Sequence, residues 1–393
     1  LVRQDPERVF AACPPALQAP DMEVLYATDR ESTPGPTGPS YGHERARRLA
    51  FGTATVGLSP EPTWRELIAD STSAVRRLSY ALHPATCKEL GRFDPKLEQL
   101  ECQGSCVQMA AATACEFLSQ QRSFQELVSE RLAVAPQKDV YVFVHGFNNT
   151  FDDAVFRAAT VWHFMGRSGV PIVYSWPAGF GGLRGYAYDR ESGEFTVFHL
   201  KYFLQMLAGC PAVERIHIIA HSRGCDVAVT ALRELHIGYR AQGKDTQAEL
   251  KLENLVLAAP DLDQDVFMQR FMAENLLQAA RRTTIYASTS DKAIEVADLV
   301  FAGRRRVGAL GPSDFSPQVR QALAKLPTLQ FIDCKVTHFS TSHDYVFAHP
   351  AALSDLILVL RDRKGPGAAE GRPLQQPVEG IWELRDDYPA HKE

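Results

Sequence analysis

The chain has 393 residues and a net charge of −5. Its 45% apolar and 23% charged residues are ordinary globular proportions and exclude a largely disordered chain. The acidic balance argues against a nucleic-acid partner, and no run of 18 apolar residues is present, so no transmembrane segment is expected.

Residues 1–22, rich in Pro and Ala near the start, read as an extended arm. Glu23–Thr28 reads as a strand, Asp29–Gly42 as a Pro/Gly loop, and Leu49–Leu58 as a second strand. Together the two strands would form an antiparallel edge of a larger sheet. Residues 60–135 show helical spacing at Thr63–Leu82 and Pro95–Leu132, as expected for a helical insertion or cap-like region. From Asp139 the pattern changes. Asp139–Val144 is a continuous apolar run, as in a strand buried on both faces. The loop His145–Asn149 follows, and then a helix capped by Thr150, with Asp152 and Asp153 in its first turn.

Pro171–Trp176 reads as the next strand, Pro177–Gly193 as a glycine-rich loop and Phe195–Leu207 as a helix. Further strands are expected at Leu252–Ala258, Thr283–Ala287 and Leu329–Val336, with helices at Phe267–Ala280, Ala293–Phe301 and Ala352–Leu360. Residues 363–393 read as a mobile tail, and Arg304-Arg305-Arg306 as a solvated loop. Strands alternating with helices from 139 onward predict an α/β fold with a mainly parallel, doubly wound sheet. Ligands bind such sheets outside the C-terminal ends of the strands. The expected organisation is one α/β domain over 23–362 between the arm and the tail.

The chemistry centres on Arg215–Gly224, RIHIIAHSRG. An apolar strand runs into His221-Ser222-Arg223-Gly224, and apolar residues at helical spacing follow from Val227. A serine at such a strand–turn–helix elbow stands clear of both elements, with a helix N-terminus behind it. Ser222 is therefore the candidate nucleophile. Ala220 stands where the usual elbow has its first glycine, and its small side chain suits the close strand–helix approach. A neutral serine needs a base, and the base needs an orienting acid. The order serine, acid, histidine is available as Ser222, then Asp291 or Asp261, then His343. Asp291 is favoured, because Asp261, Asp263 and Asp265 could instead cap a following helix. His343 fits the loop after the last strand better than His338, too near the strand end, or His349, which precedes Pro350. His145 and His221 come too early in the chain and are expected to pack or to hold loops.

The developing oxyanion needs two backbone donors. The Arg223 N–H is one, and the Phe147 N–H, from the loop after the first buried strand, is the other. Phe147, Trp176, Phe180, Tyr186 and Tyr188 could line an apolar pocket or form core. The glycines at 179–185 match neither phosphate-binding pattern. Neither a CxxC pair nor HExxH occurs, so no metal is expected, and the triad chemistry needs no cofactor. The eight cysteines suit disulfides or buried thiols equally.

Several stretches resemble the bacterial α/β-hydrolases grouped as a domain of unknown function within the esterase/lipase superfamily. They are YATDR from Tyr26, VHGFNNTFDDAVFRAA from Val144, YSWP from Tyr174, YAYDRES from Tyr186, IIAHSRG from Ile218, LAAPDLDQDVF from Leu257, YASTSDKA from Tyr286, and His343-Asp344-Tyr345. The resemblance implies an α/β-hydrolase fold and a serine triad, without supplying a substrate. Two positions depart from it: the family usually has Met at Arg223, and Ser-Ala at Ser192-Gly193. Members often carry an export or lipoprotein signal. The start at Leu1 is compatible with a removed signal, so a periplasmic, lipoprotein-like or cytoplasmic location stays open. The expected activity is carboxylester hydrolysis of a small-molecule or lipid-like ester through an acyl-enzyme. The alternatives are an amidase or acyltransferase with the same triad, or a binding or scaffold protein that keeps the fold without turnover. Oligomeric state is not legible.

Overall fold

The structure, a computed structural model, describes residues 6–73, 78–93, 100–103, 106–109, 111–291, 293–294, 305–337 and 342–389. The first helix is α1 (Pro6–Ala11). Strands β1 (Met22–Gly35), β2 (Gly38–Ser59) and β3 (Ala81–Phe93) follow, with α2 (Trp64–Thr72) between the last two. A small hairpin, β4 (Leu100–Gln103) and β5 (Cys106–Met109), leads to α3 (Ala111–Val134). Then come β6 (Asp139–Val144), α4 (Phe151–Phe164), β7 (Val170–Ser175), α5 (Gly182–Ala208), β8 (Arg215–His221) and α6 (Gly224–Ala241). After α7 (Thr246–Leu250) the chain adds β9 (Leu252–Ala258), β10 (Arg282–Ala287), α8 (Pro317–Ala324), β11 (Leu329–Lys335) and α9 (Pro350–Leu360). It ends with the short β12 (Gly365–Pro366) and β13 (Gly371–Arg372), then β14 (Gln375–Val378) and β15 (Ile381–Arg385).

Eleven strands form one sheet in the order β14-β15-β11-β10-β9-β8-β6-β7-β1-β2-β3. Eight of them, from β15 across to β1, run parallel. All six residues of β6 are buried, because successive side chains enter opposite faces. Val140, Val142 and Val144 pack on one face with Phe124 of α3, Leu204 of α5 and Leu232 of α6. Tyr141 and Phe143 pack on the other with Trp162 of α4 and Leu356 of α9. This doubly wound α/β sheet matches the architecture expected from the alternation of strands and helices.

The differences lie outside the central strands. The Pro/Gly segment 29–42 is mostly strand, so β1 and β2 form one long hairpin whose turn is confined to residues 35–38. The tip folds back on β3, where Cys87 N–H donates to the Thr37 carbonyl at 2.8 Å. That contact pairs one backbone N–H on the edge strand of the sheet. Residues 81–93, expected within a helical insertion, are a strand of the main sheet. The expected loop 177–193 is largely helix, since α5 starts at Gly182. Gly193 reads as a breaker, but it lies where α5 meets Val227 of α6. The arm expected to be extended carries α1, and the expected helix 267–280 is a π-type turn followed by a 3₁₀ turn. Most of the helix expected at Ala293–Phe301 lies outside the described residues.

The tail expected to be mobile closes the sheet. β15 pairs parallel with β11 from Phe331↔Ile381 to Lys335↔Arg385. Its anchor is polar. Arg372, fully buried, donates to both oxygens of Asp355 on α9, at 3.0 and 2.6 Å. Tyr286 and Tyr388 donate to the same carboxylate at 2.7 and 2.5 Å. Breaking a buried, hydrogen-bonded ion pair from one side strands the other charge. Arg372→Met is therefore expected to destabilise the protein by about 3–5 kcal/mol, measured by urea denaturation. A loss below about 1 kcal/mol would mean that Asp355 is satisfied without it.

Among the described residues no helix is long and apolar enough to cross a membrane. Cys13, Cys87, Cys115, Cys210, Cys225 and Cys334 carry free thiols.

Candidate active site

The site is built at the C-terminal ends of the parallel strands. β8 ends at His221, and Ser222 takes φ 52°, the left-handed region that a side chain rarely occupies. Backbone bonds hold it there. Ser222 N–H donates to Ala258 O at 2.9 Å, while its carbonyl accepts from Cys225 N–H at 3.1 Å and Asp261 N–H at 3.2 Å. The turn is as tight as the sequence requires. A Cβ on Gly224 would lie 2.2 Å from the His145 carbonyl and 2.6 Å from that of Val144. Glycine at 224 thus lets α6 start directly against the end of β6, and the helix aims its positive end at Ser222.

Asp291 lies just beyond β10 and is fully buried. His343 Nδ1 and Asp291 Oδ2 are 2.8 Å apart. The other oxygen, Oδ1, accepts from the N–H groups of Ala293 and Ile294, which fixes the carboxylate plane. A carboxylate on Nδ1 puts the proton there and leaves Nε2 as the basic atom. Burial alone would lower the pKa of His343. The bond to Asp291 and its charge, with Asp344 and Asp261, outweigh that and hold the pKa above the usual 6.5.

Asp261, the other candidate acid, is engaged elsewhere. Its Oδ2 accepts from the Tyr186 hydroxyl at 2.8 Å, and Oδ1 lies 3.4 Å from Arg306 Nε. The capping role belongs to Asp263, which accepts from Val266 N–H at 3.0 Å. Arg306, expected in a solvated loop, is buried against Asp261, while Arg305 pairs with Asp314 and Arg304 lies outside the described residues. Of the other histidines, His349 caps α9 through Ala351 N–H and pairs with Asp386, and His338 lies outside the described residues.

His221 holds the histidine loop. Its Nε2 is 3.3 Å from the His343 carbonyl, and the two rings are 4.8 Å apart. Burial, and then the neighbouring His343, push the His221 pKa down to about 3. The ring is therefore neutral, with its proton on Nε2 donated to that carbonyl. Arg157 bonds Asp344 at 2.7 Å and secures the same loop from α4.

Phe147 lies in the loop after β6. A Cβ on Gly146 would come within 2.8 Å of the Ser222 Cβ, so this loop runs directly against the elbow. Gly146 N–H is taken by Asn149 Oδ1 and Asn148 N–H by Asp189 Oδ2. Neither Phe147 N–H nor Arg223 N–H has a protein acceptor among the described residues. Arg223 is the N-cap residue of α6, and its guanidinium bonds Asp226 at 2.9 Å. The expected aromatic set divides. Trp176 is fully buried and stacked on His145, and is core. Phe147 meets Tyr186 beside Asp261, and the exposed Phe180 stacks on Tyr188 farther out.

Residues that sequence reasoning left without a role complete the surroundings. Arg30 and Asp189 both lie in stretches that carried the resemblance, YATDR and YAYDRES, and both end on the Phe147 loop. Their position in those stretches was the available signal.

An eight-stranded parallel core, a serine elbow after β8, an acid after β10 and a histidine after β11 define an α/β hydrolase. The model of the family described as alpha/beta hydrolase of unknown function (DUF900) matches residues 120–363. That is more than half the chain, and the chain belongs to this family. No curated protein matches the chain. No solved structure matches it.

Proposed function

We propose that this α/β hydrolase cleaves carboxylic esters through an acyl-enzyme formed on Ser222. The observation that carries the reading is the 2.8 Å bond between His343 Nδ1 and the buried Asp291, two strands beyond a serine held at φ 52°. Ser222 Oγ attacks the carbonyl carbon while His343 Nε2 takes its proton. The oxyanion that forms accepts from Phe147 N–H and Arg223 N–H. Collapse expels the alcohol, which takes the proton from His343, and water then releases the acid by the same steps in reverse roles. Asp291 keeps its charge throughout and stabilises the imidazolium. Residues 23–362, together with the tail strands that close the sheet, form the domain that houses this chemistry. The substrate is a small-molecule or lipid-like ester.

A fluorophosphonate probe is expected to add covalently to the full chain, with the adduct mapped by mass spectrometry to the peptide containing Ser222. An adduct on another residue, or none under conditions that label an ordinary esterase, would favour a binding protein that retains the fold. Comparing matched ester, amide and acyl-acceptor substrates separates the hydrolase from an amidase or acyltransferase.

A further inference from the structure

The loop that presents Phe147 is held by two buried, charged side chains from elements distant in sequence. Arg30 comes from β1 and is 1% exposed. Its Nη2 donates to the Asn149 carbonyl at 2.8 Å and lies 3.2 Å from His145 Nε2. Its Nη1 donates to the carbonyls of Ala178 at 2.7 Å and Gly42 at 2.8 Å, and its Nε to Ser175 Oγ at 2.9 Å. His145 Nδ1 is 2.9 Å from the Gly146 carbonyl, so the proton sits on Nδ1 and Nε2 accepts from Arg30. Burial, followed by the Arg30 charge, keeps this ring neutral, with its pKa well below the usual 6.5.

Asp189 comes from the first turns of α5 and is fully buried. Its Oδ2 accepts from Asn148 N–H at 2.9 Å, and both oxygens lie 3.3 Å from Gly179 N. Asn148 has φ 55°, a left-handed conformation just after Phe147. Asparagine adopts that region more readily than most residues, and here the Asp189 bond to its N–H holds it in place. Phe147 is thus bracketed: Arg30 fixes the residues at 145 and 149, and Asp189 fixes 148.

We infer that Arg30 and Asp189 are positioning residues that preorganise the Phe147 N–H as an oxyanion donor, and that neither touches the substrate. The inference rests on the proposed ester hydrolysis for its kinetic consequence, but not for the claim that the two side chains hold the loop. An oxyanion donor stabilises the transition state only if its direction is fixed before charge develops. A loosened donor therefore lowers kcat and leaves substrate binding largely alone.

The test uses the full chain with Asp189→Ala, Asp189→Asn and Arg30→Lys, and two independent readouts. In hydrogen–deuterium exchange, the peptide spanning 145–150 is expected to exchange faster in Asp189→Ala than in wild type, with the β8 and β9 peptides unchanged. With p-nitrophenyl butyrate, kcat per active site, titrated with a fluorophosphonate, is expected to fall about 10- to 100-fold with KM within about threefold. Asp189→Asn keeps an oxygen for Asn148 N–H and is expected to recover most of that loss. A merely structural defect would lower the titrated fraction and leave kcat per site intact. Arg30→Lys, which keeps the charge but not the fork, is expected to loosen the same peptide. If it does not fold, the Asp189 pair decides alone. Unchanged exchange at 145–150, or unchanged kcat per site in a folded Asp189→Ala, overturns the inference. If wild type neither labels nor turns over esters, the proposed function fails, and the exchange result still decides whether these residues hold the loop.

Discussion

Ser222→Ala is expected to reduce turnover of an activated ester by about four to six orders of magnitude, measured as kcat against p-nitrophenyl butyrate. The variant should fold normally, because the elbow is held by main-chain bonds. Ser222 N–H on Ala258, and the Cys225 and Asp261 N–H groups on the Ser222 carbonyl, all survive loss of the hydroxyl. The strain at φ 52° is shared by any non-glycine side chain and is not relieved by alanine. A lost signal therefore reports the oxygen rather than the fold, and circular dichroism should match wild type. Turnover within about tenfold of wild type would remove Ser222 from the reaction, since residual catalysis without a nucleophile comes only from binding and the oxyanion donors.

Asp291→Asn should be nearly as severe, with a fall in kcat of about 10⁴-fold, because the amide can offer an N–H to Nδ1 and favour the wrong tautomer. It also carries a pH signature. His343 must be neutral to accept the serine proton, so kcat/KM rises with pH through the His343 pKa. In wild type that limb lies above 6.5, because the Asp291 bond and charge outweigh burial. Without the carboxylate, burial dominates and the limb moves down. Asp261→Asn is the control. The asparagine can still accept from the Tyr186 hydroxyl, and Asp261 acts on His343 only as the last of several charges. Its kcat is expected within about tenfold of wild type, with a small downward shift of the limb. If Asp261→Asn proved the more damaging of the two, the acid assignment would have to be exchanged.

The parallel strands were legible because each is apolar on both faces and ends in a turn of distinctive chemistry. Asp139–Val144 and Leu252–Ala258 have the boundaries expected from their apolar runs. The Thr150 cap followed from residue type alone, and Asp153, expected only as a first-turn acid, is also its reciprocal capping partner. The serine elbow was legible for the same reason: small residues at 220 and 224 have a purely steric purpose. Segments whose local signals oppose their packing were not legible. Gly193 and the glycines before it read as loop, yet in α5 the buried Asp189, Ser192 and Thr196 bond to Asn148, Arg45 and Asp29 in other parts of the chain. The tail reads as polar and broken, but one buried ion pair and two tyrosine hydroxyls order it. Both Asp291 and Asp261 follow a strand end. The capping alternative set Asp261 second in the sequence, and the bond of Asp291 to His343 is visible only in three dimensions.

Arg30 and Arg372 lie outside the stretch that defines the family, one before it and one after. Each is buried, and each has partners inside that stretch: Asn149 and Ala178 for the first, Asp355 for the second. An excised fragment of residues 120–363 would contain Ser222, Asp291 and His343, yet leave the His145–Asn149 loop and the Asp355 carboxylate without their cations. The unit that can be moved between proteins as a working part is thus longer than the unit by which the family is recognised. During synthesis the same arrangement sets an order of completion. The guanidinium serving the Phe147 loop is made before its partners, and the one serving α9 is made only after the rest of the sheet except its last two strands has been synthesised.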